Sequence, residues 1–194
     1  MAHAKILAFA GSARQDSFNQ KLVKIAAEGA RAAGAEVTHL DFRDLPLPLY
    51  DQDLEAASGL PANAVKLKTL MKAHHGFLIA CPEYNSSITP LLKNAIDWAS
   101  RPEPDEPALA CFKDKVALLI SASPGALGGL RGLVHVRSIL SSIGVLVLPE
   151  QKAIGTAHQA FDENGNLKDA AQQQAIIQLG HKLTAVTAQL NPLN

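Results

Sequence analysis

This chain has no excess of positive or negative charge. Its 194 residues carry 18 Lys and Arg against 18 Asp and Glu, so the formal net charge is zero. Without a basic excess there is no electrostatic ground for binding nucleic acid or an anionic membrane surface. Long apolar runs are missing as well, and none approaches the length that spans a bilayer. The N-terminal apolar run leads straight into a polar loop, so no signal peptide is expected. Cysteine is scarce: Cys81 and Cys111 are the only two, and they form no C-x-x-C pair. That usage points to a reducing cytoplasm. The seven histidines lack metal-ligand spacing, and His74 and His75 are adjacent, so they cannot share a helix face. No G-x-S-x-G elbow marks a serine hydrolase. Repeats, low-complexity tracts and linkers are also absent. The length suits one domain, residues 1–194, with a substantial core.

What is present is apolar patterning, with 47% of residues hydrophobic. Residues 6–10, 77–81 and 116–120 are continuous apolar runs, as expected of central parallel strands covered on both faces. Residues 36–41 (EVTHLD) alternate polar and apolar, which suits an edge strand with one wet face. A fifth apolar strand is expected at 145–148, followed by an irregular stretch over 149–161. Helical spacing runs over about 19–33, 61–75 and 89–100, then to about 142 after the fourth strand. A final helix after Asn164-Gly165-Asn166 carries Ile176, Leu179, Leu183, Val186 and Leu190. Residues 45–51 (LPLPLYD) have prolines two apart and must be extended. Residues 101–107, with three prolines and three acids, read as a surface loop.

Five βα units in alternation predict a doubly wound α/β sandwich with a parallel sheet and helices on both faces. The alternating second strand favours an edge, which the order 2-1-3-4-5 provides. That order places its switch point between strands one and three, where ligands bind outside the C-terminal strand ends. Three loops should meet there: 11–19, 82–87 and 121–131. They are also the three unusual loops of the sequence.

The first, GSARQDSFN, runs from a strand into a helix N-terminus, whose first N–H groups lack internal partners and whose dipole end is positive. Ser12, Ser17 and Asn19 add donors or caps, and Arg14 adds charge. An anion site and a capped turn that binds nothing both fit. It matches neither G-x-G-x-x-G nor G-x-x-x-x-G-K-S/T, so the loop suggests phosphate without saying whose. In the second, Pro82-Glu83-Tyr84-Asn85, proline stops the strand, and backbone N–H groups, an aromatic face and an amide follow. Such a set suits a flat heterocycle, and equally an ordinary turn with Ser87 or Thr89 as N-cap. The third, SASPGALGGLR, has Gly125, Gly128 and Gly129, which permit close backbone approach or simple flexibility. Cys81 lies at the crevice edge without an identifiable base and reads as a small packed hydrophobe. Asp97 and Trp98 read as structural or as interface residues.

These motifs, with the phrases LPLPLY at 45–50 and LKNAIDWASR at 92–101, resemble the NADPH-dependent FMN reductase family. That is the flavodoxin-like group that includes chromate, quinone and azo-dye reductases. The resemblance spans about residues 5–149. It implies that Ser12, Arg14, Ser17 and Asn19 hold the FMN phosphate. Pro82, Glu83, Tyr84 and Asn85 would line the isoalloxazine, largely through backbone groups, and Ser121, Ser123 and Gly125 would close its other edge. It further implies hydride transfer from NADPH or NADH to FMN and then, in ping-pong order, to a small acceptor such as a quinone, flavin, azo or nitro compound or chromate. No metal and no protein acid or base is required. Self-association to a dimer or tetramer is implied too, with Arg101 able to reach a neighbouring site. The alternative is a flavodoxin-type electron carrier without direct NAD(P)H oxidation. Two positions depart from the family's pattern: Ser86 stands where glycine is frequent, and Cys81 where threonine is.

Overall fold

The computed structural model describes residues 4–191; the expected unit, 1–194, extends three residues beyond them at each end. The elements run β1 (Lys5–Ala10), α1 (Phe18–Ala32), β2 (Glu36–Leu40), α2 (Gln52–Ser58), α3 (Ala62–Ala73), β3 (Gly76–Ala80), β4 (Glu83–Tyr84), β5 (Ser87–Ile88), α4 (Pro90–Ala99), β6 (Val116–Ala122), α5 (Leu130–Ser142), β7 (Leu146–Ile154), α6 (Ala157–Ala160) and α7 (Ala170–Leu190). Five strands form one parallel sheet in the order β2-β1-β3-β6-β7, and β4 and β5 pair separately as an antiparallel hairpin. Counted among the sheet strands alone, the order is 2-1-3-4-5.

Side-chain alternation along the central strands divides the core between two faces. Ile6, Ala8 and Ala10 of β1 point with Leu78 and Leu118 toward α1 and α7. Leu7, Phe9, Phe77 and Ile79 point the other way, onto Leu67, Met71, Leu92, Leu133 and Val136 of α3, α4 and α5. Both faces are dry, which is why these runs show no polar alternation. On the first face α1 and α7 meet backbone to backbone. A Cβ on Gly29 would lie 2.1 Å from Ile177 O, and one on Gly180 would lie 2.0 Å from Ala26 O.

Four features differ from the sequence reading, one of them the short helix α6 inside the stretch 149–161 that was expected to be irregular. Strand β7 does not stop at 148 but runs through Pro149 to Ile154. The register is irregular there: Val147 faces Ala117, and Gln151 faces Leu119. Pro149 thus falls in a bulge on an edge strand, where a missing N–H is tolerated. Helix α2 was not foreseen, because none of its residues is buried and it has no apolar stripe to detect. It begins at the Asp51 carboxylate, which caps the N–H groups of Asp53 and Leu54. The last difference is the β4–β5 hairpin inside the second loop.

The extended segment before α2 is pinned to α4. Asn94 Nδ2 and Trp98 Nε1 both donate to Pro48 O, at 2.9 and 2.8 Å, and Tyr50 N donates to Asn94 Oδ1 at 2.8 Å. Trp98 is fully buried within the chain, and Asp97 pairs with Lys93. Arg101 is engaged within its own chain, with Nε 2.9 Å from Glu55 Oε1 and the guanidinium over the Tyr50 ring. The Arg101 bond holds the Glu55 carboxyl below the usual carboxylate range.

Candidate functional site

Strands β1, β3 and β6 end side by side, and the loops beyond them enclose a cleft of about 330 Å³. The first loop is turned by Gly11, whose N–H closes on Ala80 O at 2.9 Å. Ser17 then caps α1, its hydroxyl accepting from Gln20 N. Ser12 Oγ accepts from Arg14 N at 3.3 Å. Among the described residues nothing accepts from the backbone N–H of Phe18 or Asn19. Two open donors at the positive end of a 15-residue helix are suited to an anion. Arg14 is exposed and has no carboxylate partner among the described residues; its guanidinium lies over the Phe18 ring, 5.5 Å from the centroid. Phe18 in turn stacks on Phe161 at 5.9 Å.

Side-chain clasps fix the loops against one another. Asn19 is buried, and its amide exchanges two hydrogen bonds with Ala122 at the end of β6: Nδ2 donates to the carbonyl at 2.8 Å, and Oδ1 accepts from the N–H at 3.0 Å. Thr89, the N-cap of α4, donates to Gly11 O at 2.7 Å. Ser121 is buried and donates to Gly128 O at 2.7 Å. Glu83 accepts from Gly132 N at 2.8 Å. The third loop is not a free connection, for Ser123 N donates to Ile154 O, Ala157 N to Ser123 O, and Thr156 N to Gly125 O. A site braced in this way needs little reorganisation on binding.

The sequence-derived set divides accordingly. Ser12, Arg14, Ser17 and Asn19 line the cleft, as do Pro82, Glu83, Tyr84 and Ser123. Asn85, Ser121 and Gly125 do not. Asn85 sits exposed at the hairpin tip with φ +50°, Ser121 points into the loop behind, and Gly125 is on the outer surface. For Asn19 the side chain is engaged by Ala122, so its open group toward the cleft is the backbone N–H. Sequence reasoning missed Phe18, Ala122 and Pro124, which complete the lining. It also missed Gln20, whose buried amide donates to Ser12 O at 3.0 Å. None of these carries a spacing signal. Tyr84 is 57% exposed and offers an aromatic surface at the mouth.

Cys81 is wholly buried and burial pushes its thiol far up, while Cys111 is pushed up to about 11. Neither is a thiolate at neutral pH. A larger hollow, about 480 Å³, lies beside β2 and α3 between His39, Leu45, Val65 and Leu70. It is mainly apolar and meets none of the three loops, so the chemistry is assigned to the smaller cleft. There the open donors suit an anion, and Pro82 and Tyr84 line the same cleft beside them. The residues present therefore fit a flavin mononucleotide.

Comparison with known proteins agrees. The family model described as NADPH-dependent FMN reductase matches residues 4–159. An NAD(P)H-dependent FMN reductase of Pseudomonas aeruginosa is 35% identical over 175 residues, covering 90% of each chain. A probable NADPH:quinone oxidoreductase of Oryza sativa is 35% identical over 170 residues, covering 85% of this chain and 79% of that one. Among solved structures, a flavoenzyme NAD(P)H:(acceptor) oxidoreductase from Paracoccus denitrificans superposes with a TM-score of 0.79 at 27% identity, covering 96% of this chain and 98% of the other. With its parallel sheet, its phosphate-type loop and a family match over most of its length, the chain belongs to the NADPH-dependent FMN reductase family, as an NAD(P)H-dependent reductase that uses FMN.

Proposed function

We propose that this chain reduces quinones with NADPH or NADH, the donor and the acceptor occupying the open side of the cleft in turn, in ping-pong order. Flavins, azo and nitro compounds and chromate belong to the same acceptor class. The observation that carries the reading is the pair of open N–H groups at the start of α1, set with Arg14 in one cleft with the exposed Tyr84 ring. The quinone oxidoreductases among the relatives support quinone as the leading acceptor.

Bound FMN would supply the hydride chemistry, so the protein's work is binding and orientation. Arg14, Ser12 and the N–H groups of Phe18 and Asn19 hold the phosphate. Pro82, Glu83 and Tyr84 form one wall for the ring, chiefly through backbone, and Ser123 with Pro124 forms the other. The clasp of Asn19 on Ala122 keeps the phosphate-side loop in register with the second of those walls. The three loops meet in one cleft, which favours successive occupancy over a ternary complex. The reading also takes residues 1–194 as one cytoplasmic FMN-binding domain that self-associates.

Initial rates with NADPH and a benzoquinone, each varied at fixed levels of the other, test the order. Parallel double-reciprocal lines are expected, and converging lines would overturn ping-pong. FMN-loaded protein that leaves both NADPH and NADH unoxidised would instead make the chain an electron carrier.

A further inference from the structure

Glu83 lines the cleft, yet its carboxylate is engaged by another element. Oε2 accepts from Gly132 N–H at 2.8 Å. Gly132 is the third residue of α5, whose N-cap, Gly129, has φ +94° and no side chain to offer. A helix start of that kind offers its first N–H groups no capping side chain; Leu130 N bonds Leu127 O at 3.1 Å, and the dipole favours a negative charge beyond it. Glu83 therefore supplies from a strand the cap that the helix's own N-cap lacks. Gly132 packs close against the hairpin: a Cβ on it would lie 3.3 Å from Ser87 O and in van der Waals contact, 3.5 Å, with Glu83 Cβ and Cγ.

The hairpin that carries Glu83 is short, and besides Ile88, which packs on the core, little apolar contact holds it. Its ladder is two residues long on each side, and its turn places Asn85 and Ser86 at φ +50° and +64°. A two-stranded hairpin is marginal by itself. Its other polar contacts to α5, Arg131 with Ser86 at 3.4 Å and His135 with Ser87 at 2.9 Å, are exposed and of little strength.

We propose that Glu83 is a positioning residue for the bound cofactor: tied to Gly132, its carboxylate sets the β4–β5 hairpin, and with it Pro82 and Tyr84, against the cleft. The inference rests on the FMN reading of the cleft and adds to it a residue whose side chain acts without facing the ring. An accepting oxygen is what the brace requires, so glutamine keeps it and alanine does not.

The test is FMN titration of cofactor-free protein by fluorescence quenching, together with amide hydrogen exchange, on the parent, Glu83→Gln and Glu83→Ala. For Glu83→Ala, about fivefold loss of FMN affinity is expected, the scale of one hydrogen bond. Exchange should quicken at Gly132 and over residues 83–88, and Glu83→Gln should restore both readouts. Faster exchange with unchanged FMN affinity would make Glu83 a helix cap only and overturn the proposal. Equal loss in both variants would overturn the brace in favour of charge. Failure of the parent to take FMN would refute the FMN reading itself and the positioning role with it, whereas the exchange data would still report the brace.

Discussion

The closest backbone approach in the core gives the sharpest test of the packing argument. Gly180 lies inside α7, and in an exposed helix Gly→Ala stabilises by about 1 kcal/mol. Here the new Cβ would lie 2.0 Å from Ala26 O and 2.7 Å from Ala30 N. Both are backbone atoms of α1, so neither can rotate aside, and α7 must move outward by well over an ångström. That movement loosens Ile176 and Leu183, each fully buried against the sheet. The Thr184 hydroxyl keeps its nearer acceptor, Gly180 O at 3.0 Å within α7, and loses only the longer contact to Ala30 O at 3.3 Å. Overpacking of this kind costs roughly 1–3 kcal/mol, and the upper end applies where backbone is struck. After the helix-propensity gain, Gly180→Ala should destabilise by about 2 kcal/mol, lowering Tm by roughly 4–8 °C in a chain of this size. Gly29→Ala should behave alike, because its Cβ meets Ile177 O at 2.1 Å. Thermal unfolding of the cofactor-free variants reads the effect. A Tm at or above the parent's would mean that propensity governs at Gly180 and that α1 and α7 are not in backbone contact.

Much of this arrangement was legible because it follows from which residues are apolar. The three continuous runs became β1, β3 and β6 since each buries both faces, and residues 36–41 became the edge for the opposite reason. The three loops were correctly gathered, as strand order alone brings them to one end of the sheet. What stayed hidden depends on partners distant in the chain. Asn19 reads as a loop donor, but its amide is taken by Ala122, 103 residues away. Lys68 carries no signal in the sequence, and its side chain is 1% exposed. It is held between Glu106 at 2.6 Å and Glu103 at 3.3 Å and bonds Arg101 O, so the acidic proline loop is anchored there. Helix α2 stands on a cap and on the Tyr50–Glu55–Arg101 contacts rather than on an apolar stripe. Period-based reading finds elements that bury surface; it passes over those held by polar contacts at long range.

The remaining perturbations each separate two readings of a residue. Lys68→Met should cost about 3 kcal/mol, the low end for a broken buried pair, since Lys72 still meets Glu106 at 2.5 Å. Burial alone would raise the Glu106 carboxyl, but the bonds from Lys68 and Lys72 outweigh it and hold it low. Its stabilisation is therefore full above the ordinary Glu range and lost as pH falls through the depressed value, so urea midpoints of parent and variant should converge in acid; a constant gap would refute the pairing. Ser86→Gly should stabilise by up to about 1 kcal/mol, because φ +64° strains a residue with a Cβ, and a lower Tm would show that its weak Arg131 contact matters more. Native protein at pH 8 should not react with a thiol reagent at Cys81 or Cys111 until it is unfolded; prompt labelling would contradict their burial. Arg14→Ala and Asn19→Ala should both weaken FMN binding, for different reasons. Arg14 is exposed and bonds no carboxylate, so its loss should leave the Tm of the cofactor-free protein nearly unchanged. Asn19→Ala strips both partners from a buried backbone pair on Ala122, which costs about 2–4 kcal/mol before any ligand is present. Equal stability of the two cofactor-free variants would mean that the clasp contributes nothing, and that Asn19, like Arg14, serves the phosphate directly.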